Sequence, residues 1–382
     1  CAICPIARRL NIPKFGPYFK VKHLLEQNNV VIRSSNYELY ADLSDKMMNI
    51  IARFCDTQHI YSIDESFLHF DGYTSLIKDW HEYGHTIRRT VWRETSLPVG
   101  VGFGTTPTLA KAANYAAKKL PGFKGVAVIN DETSRKHILS QMDVRHVWGV
   151  GSRLAKKFKL MGIETAQQLA DQSPKKMRRL FSVVVERTVS ELNGVACLNW
   201  DEVKQGKKEV FSTRSFGERV TDINTLRAAL SAHAAIVGRK LRRQGSITKR
   251  IVVFAASSPH DNEYYKKSII FDFPTATADT LEITKAASLI LEKIYKENVH
   301  FYRCGVGAIE LECSANKQLD LFTEKQSKQA LMDCVDSINS RYGTGALQSG
   351  SECLTQKWNM RRAFLSPHYT TRWSDIPIIN CG

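Results

Sequence analysis

Tyr61-Ser62-Ile63-Asp64-Glu65-Ser66-Phe67-Leu68 sets two neighbouring carboxylates inside a run of apolar and aromatic residues. Tyr61, Ile63, Ser66, Phe67 and Leu68 suit β-structure. Burying an unpaired charge is expensive, so carboxylates in such a run need a partner or solvent. Successive side chains on a straight strand face opposite ways. For Asp64 and Glu65 to serve one site, the chain must turn or bulge between them. A strand then resumes over residues 66–70, and Asp71-Gly72 closes it. The pattern predicts a hairpin with an acidic tip over a cleft. Two carboxylates holding divalent metal suit phosphoryl transfer. The plain alternative is a solvated hairpin turn.

Upstream, Leu39, Leu43, Met47, Ile50, Ile51 and Phe54 recur at helical spacing across residues 37–54, with Ser44-Asp45-Lys46 on the wet side. Short helices are expected at 6–10 and 20–26, and a strand at Val30-Val31-Ile32. Arg8 and Arg9 read equally as a phosphate grip or as a solvated face. Downstream, a helix is expected over 76–93 and a glycine-rich strand over 97–104. Thr106 is a good N-cap and Pro107 a good first residue for a helix over 108–119. A strand feeding a helix N-terminus can cradle phosphate, and Lys111 sits one turn in. A lone surface lysine gives the same pattern. Helices alternating with strands predict a small mixed sheet with helices packed on it.

Residues 131–195 read as mostly helical. Within them, Trp148-Gly149-Val150-Gly151 precedes Lys156 and Lys157, then Leu160-Met161-Gly162-Ile163 and a helix over 165–171. That order has the form of a helix-hairpin-helix, whose backbone amides hold DNA phosphate irrespective of base. An ordinary αα turn that needs glycine is the alternative. Residues 196–210 read as a basic linker. Over 211–314, helices at 226–243 and 280–296 and strands at 250–255 and 304–313 suit an α+β sandwich, made basic by Arg239, Lys240, Arg242 and Arg243. Gln318-Leu319-Asp320-Leu321-Phe322 places apolar side chains in a polar stretch. It suits docking into a partner's groove, or packing back on its own domain.

At 382 residues and 43% hydrophobic, the chain has room for two to four domains with cores. No apolar run reaches the roughly 20 residues that a membrane span needs, and no signal peptide pattern opens the sequence. The net charge of +16, from 54 Lys and Arg against 38 Asp and Glu, favours a polyanionic partner. No basic amphipathic helix with an aromatic face argues for a membrane surface. Nine cysteines without paired spacing suggest reduced cytosolic thiols. The sequence opens at Cys1 inside what reads as a motif, and is expected to be a piece of a longer chain.

These residues together resemble the Y-family translesion DNA polymerases. Tyr61-Ser62-Ile63-Asp64-Glu65 looks like their catalytic acidic motif, and Thr108-Leu109-Ala110-Lys111-Ala112-Ala113-Asn114 like the palm helix that follows it. Trp148-Gly149-Val150-Gly151 resembles the thumb's helix-hairpin-helix, and Ser212-Thr213-Arg214-Ser215-Phe216-Gly217-Glu218-Arg219 the start of the little finger. Leu365-Ser366-Pro367 and Tyr369-Thr370-Thr371-Arg372 are similar to the UmuC subfamily.

The resemblance covers essentially the whole chain. It implies an α+β multidomain right-hand polymerase: fingers over 1–35, palm over 36–130, thumb over 131–195, linker over 196–210, little finger over 211–314 and a UmuC-type tail over 315–382. It implies Asp64 and Glu65 as ligands of two Mg²⁺ ions, and Arg8 and Lys111 as triphosphate contacts. Gly149, Gly151, Lys156, Lys157, Arg214, Arg239 and Arg242 are the expected DNA contacts. Residues Gln318, Leu319, Leu321 and Phe322 are similar to a sliding-clamp binding motif. Primer-template DNA, dNTP, the clamp and a UmuD-like subunit are the implied partners, and a nucleoid-associated, cytoplasmic protein of SOS mutagenesis is the implied setting.

The family's first palm strand, with a further metal-binding Asp and an aromatic steric gate, falls before Cys1. One rival expectation is therefore a catalytically inactive DNA- and clamp-binding fragment. A second is a metal-dependent nuclease or phosphotransferase that uses Asp64 and Glu65.

Overall fold

The computed structural model describes residues 1–198, 206–316, 328–352, 358 and 362–379. The chain divides into two compact units, residues 1–202 with 364–382, and residues 203–363.

In the first unit, α1 (Pro5–Arg9) and α2 (Tyr18–Gln27) enclose Ala7, Ile12, Val21 and Leu25. Among the described residues, Val30-Val31-Ile32 pairs with no other strand, so the expected strand does not form. The backbone makes one isolated bridge further on, between Ser34 and Leu365. α3 (Tyr37–Ile51) starts at Asn36, whose side chain caps the Leu39 N–H, and buries Leu39, Met47, Met48 and Ile50. Asp45 and Lys46 are exposed as the periodicity suggests, but Ser44 is buried, which corrects its assignment to the wet side.

β1 (Gln58–Ser62) and β2 (Glu65–Leu68) form the antiparallel hairpin. α4 (Trp80–Thr95) begins later than apolar spacing suggests, because Asp79 caps the His81 and Glu82 N–H groups. β3 (Val101–Gly104) pairs in parallel with β4 (Val126–Ile129), and α5 (Pro107–Lys119) crosses between them. Thr106 caps α5, as its sequence predicts. A Cβ at Gly102 would overlap the α5 backbone at Asn114, so this glycine lets strand and helix close up. Among the described residues the two strand pairs are separate ladders, not the single mixed sheet expected. Side chains bridge them instead, with the Phe70 and Phe103 rings 5.9 Å apart.

α6 (Glu132–Gln141), α7 (Ser152–Leu160), α8 (Ala166–Ala170), α9 (Pro174–Leu180) and α10 (Val183–Leu192) follow, in keeping with the helical reading of this stretch. Their core of Leu139, Phe158, Leu169 and Leu192 is continuous with Leu109, Ala113 and Ala116 of α5.

The second unit runs β5 (Val210–Val220), α11 (Ile223–Gln244), β6 (Ser246–Ala256), β7 (Lys266–Thr277), α12 (Thr280–Ile294), β8 (Phe301–Cys313) and α13 (Gln329–Tyr342). The strands form one antiparallel sheet in the order β5-β8-β6-β7. Leu226, Leu230, Val237 and Leu241 of α11, with Ile283, Ile290 and Ile294 of α12, are the helical side of its core. Sequence reading passes over β7: Lys266 and Lys267 open it, and Asp272 and Pro274 interrupt it. An edge strand tolerates these residues because one side of its backbone needs no partner. Trp358 is buried against Phe216 and His233 of this unit, whereas residues 364–379 belong to the first unit.

Candidate active site

Ser62 pairs with Glu65 across the hairpin, leaving Ile63 and Asp64 as a two-residue turn. That turn ends between Asp64 and Glu65 and is the bend the acidic pair requires; a register shift lies upstream, between Ile60 and Ser62. Asp64 is exposed at the tip, and its Oδ1 accepts a 2.7 Å hydrogen bond from Ser62 Oγ. From within, buried Ser44 of α3 donates its hydroxyl to the Ile63 carbonyl.

Glu65 opens β2, and its Oε1 accepts from Lys111 Nζ at 2.7 Å. The two side chains keep 32% and 23% of their exposure, so the pair is neither dry nor fully screened. Lys118, two turns further along α5, completes a row of positive charge. Burial holds its ammonium below the usual range, the Glu65 carboxylate pulls it back up, and Lys111 pushes it down again. The i, i+7 spacing of these lysines on one helix is the signal that could have found Lys118.

α5 is held at its start by Glu191, a buried carboxylate of α10. Its Oε2 accepts from the Thr108 N–H at 3.0 Å and from Thr108 Oγ1 at 2.6 Å. Its Oε1 accepts from the Cys197 and Leu198 N–H groups, each at 3.1 Å. A carboxylate is favoured at a helix N-terminus, and four donors offset its desolvation.

Trp148 joins the glycine turn to the hairpin. Its Nε1 donates to Tyr61 Oη at 3.3 Å, and its ring lies 5.5 Å from Tyr61 and 5.7 Å from Phe67. Lys111 Nζ sits 5.7 Å from the Tyr61 ring centre. Gly149 has φ +85°, a conformation that favours glycine, and Gly151 is the N-cap of α7 with no side chain to occupy the first amides. Lys156 and Lys157 are exposed on α7. Lys159 is tied to Asp143 at 2.8 Å.

The remaining candidates are carried by other elements. Arg8 is exposed in the last turn of α1. Arg214 is exposed on β5, and Arg239 is half-buried on α11. Arg242 is removed from the expected DNA surface, because its side chain is 7% exposed and forks onto Asp336 of α13 through Nε at 2.7 Å and Nη2 at 2.8 Å. Its Nη1 is spent on the Ala278 carbonyl and Thr280 Oγ1. Gln318, Leu319, Leu321 and Phe322 lie outside the described residues.

Asp64 and Glu65 offer hard oxygen donors with solvent access, which fits a small divalent cation. Mg²⁺ is typically held by one or two carboxylates plus substrate phosphates. Among the described residues, no group of three or more His, Cys, Asp or Glu gathers as a self-contained metal cage.

Residues 1–115 match the family described as impB/mucB/samB, residues 207–321 match its C-terminal domain, and residues 329–379 match a domain of unknown function. The protein UmuC of Salmonella typhimurium is 39% identical over 376 residues, covering 97% of this chain and 89% of its own. The protein MucB of Escherichia coli is 36% identical over 378 residues, covering 98% and 89%. DNA polymerase IV of Bacillus anthracis is 24% identical over 355 residues, covering 92% and 83%. A Y-family DNA polymerase chimera of Dbh and Dpo4 shares the fold, with a TM-score of 0.62 at 19% identity over 82% of this chain and 86% of that one.

Proposed function

Because the chain belongs to the impB/mucB/samB family, we propose that Asp64 and Glu65 are the carboxylates of its polymerase centre and that Lys111 and Lys118 of α5 receive the nucleotide. The protein is a DNA-directed DNA polymerase, a nucleotidyltransferase of error-prone translesion synthesis in DNA repair. The observation that carries the assignment of the centre is the acidic turn with Lys111 2.7 Å from Glu65.

Polymerases of this family are dependent on divalent metal, and two Mg²⁺ ions are the reading we favour. Bound Mg²⁺ lowers the pKa of a primer 3′-hydroxyl and neutralises charge on a departing pyrophosphate. The chain's own residues do the rest. Asp64 and Glu65 supply the ligand oxygens. Lys111 balances Glu65 and, with Lys118, makes positive ground for a triphosphate. Arg8 adds a guanidinium from the fingers, residues 1–35. Residues 36–130 act as palm, 131–195 as thumb and 211–314 as little finger. The turn at Gly149 and Gly151, with Lys156, Lys157, Arg214 and Arg239, grips primer-template phosphates without reading bases.

The test is primer extension with dNTPs and Mg²⁺. Asp64→Ala and Glu65→Ala should each abolish extension and leave primer-template affinity unchanged. Extension at the wild-type rate by either variant would remove that carboxylate from the centre.

Residues 318–322 are the proposed clamp-binding motif, supported by the apolar pair Leu321 and Phe322 in a polar stretch. Replacing both by Ala should weaken clamp affinity at least about tenfold in a binding titration; an equal affinity rejects the motif. A UmuD-like subunit is proposed from the UmuC relative, and co-purification with such a subunit tests it. A place on the nucleoid follows from DNA binding and the charge of +16, and imaging of a tagged chain tests it. Among the described residues, no helix is long and apolar enough to cross a membrane.

A further inference from the structure

Part of the segment that matches a domain of unknown function, residues 364–379, belongs to the unit that carries Asp64. It seats on the start of α3. Asn36 is fully buried there. Its Oδ1 accepts the Leu39 N–H at 3.2 Å and so caps the helix. Its Nδ2 points the other way and donates to the Ser366 carbonyl at 3.2 Å, Ser366 Oγ at 3.1 Å and the Pro367 carbonyl at 3.4 Å. The Ser34 N–H donates to the Phe364 carbonyl at 2.9 Å, and the Phe364 N–H donates to Ser34 Oγ at 3.2 Å. Further along the helix, Lys46 Nζ lies 2.8 Å from Asp42 Oδ2, and Lys46 with Thr370 of the tail holds the Asp42 carboxyl below its usual range.

α3 connects this seat to the hairpin. Ser44, two turns from the cap, donates its hydroxyl to the carbonyl of Ile63, the residue before Asp64. A rigid helix fixed at its first turn fixes where Ser44 stands, and a ligand is only as well placed as the groups that support it.

We propose that residues 364–370 are a positioning element of the polymerase: seated on Asn36, they set α3 so that Ser44 holds the turn that aims Asp64. This rests on the role given to Asp64 above.

Full-length variants separate positioning from bulk stability. Asn36→Asp keeps an oxygen to cap Leu39 but loses the donor to the tail. Ser44→Ala removes the hydroxyl, and Ser44→Thr returns it. Thr370→Val removes the tail hydroxyl beside Asp42 and changes no residue of α3. Asn36→Asp and Ser44→Ala should each lower kcat about tenfold and raise the Mg²⁺ midpoint, with primer-template Kd unchanged. Thr370→Val should move both in the same direction by less, and Ser44→Thr should recover most of the loss. Without DNA or metal, amide exchange across residues 62–66 should quicken in Asn36→Asp and Ser44→Ala. A tail that only stabilises the unit would lower Tm and leave the Mg²⁺ midpoint and hairpin exchange as they are, which overturns the proposal. A wild-type chain that extends no primer counts against the polymerase centre, and exchange at 62–66 still decides the link between tail and hairpin.

Discussion

Glu65 and Lys111 meet at 2.7 Å with both side chains partly open to water. Such a pair adds little to stability, since water screens it, but it concentrates opposite charge beside the Asp64 turn. Arg242 is the contrasting case. Its guanidinium is almost sealed, and Asp336 takes both branches of the fork. Charge-assisted bonds in that setting are worth about 1.5–3 kcal/mol each, less what desolvation costs. Arg242→Ala should therefore destabilise the second unit by about 2 kcal/mol in urea unfolding and leave DNA affinity as it was. A loss of DNA affinity at unchanged stability would return Arg242 to the DNA surface. Residue types at the tip and on α5 were legible in the sequence, because a carboxylate pair in an apolar run is costly without a purpose. The partner of Arg242 was not legible, because it comes from a helix 94 positions away.

Elements differ in how far local rules govern them. The N-caps Thr106 of α5 and Asp79 of α4 act within one turn, so the sequence marks where a helix can start. β7 has no such mark, since an edge strand can carry Lys266, Asp272 and Pro274. On α11, His233 is buried with its Nδ1 2.9 Å from Ser212 Oγ, beside Trp358. Burial pushes its pKa down to about 4, and Arg214 and Lys240 push the same way. The folded imidazole therefore stays neutral where the unfolded one takes up a proton. Stability of the second unit should fall as pH drops from about 6.5 to about 4, by about 3 kcal/mol over that window. His233→Asn should flatten this slope in urea midpoints measured across the range. A wild-type midpoint independent of pH there would show that the folded imidazole takes up its proton over the same pH range as the unfolded one.

For the molecule as a whole, the charge of +16 predicts DNA affinity that falls steeply with salt. Each phosphate contact removed should reduce the slope of log K against log salt by about one. Replacing Lys156 and Lys157 by Ala should then lower it by about two and weaken binding equally across DNA sequences. An unchanged slope would take α7 off the DNA.

Local pattern and composition were enough to specify the acidic hairpin, the capped helix bearing Lys111, the helical stretch after it and the basic balance. Each follows from periodicity, capping or composition, which act over a few residues or over none in particular. Tertiary structure alone decided that Lys111 reaches Glu65 across 46 positions, that Asp336 claims Arg242, and that Ser366 reaches Asn36 across 330. Those pairings depend on which faces the packed cores bring together, and no local pattern encodes the closure of loops that long.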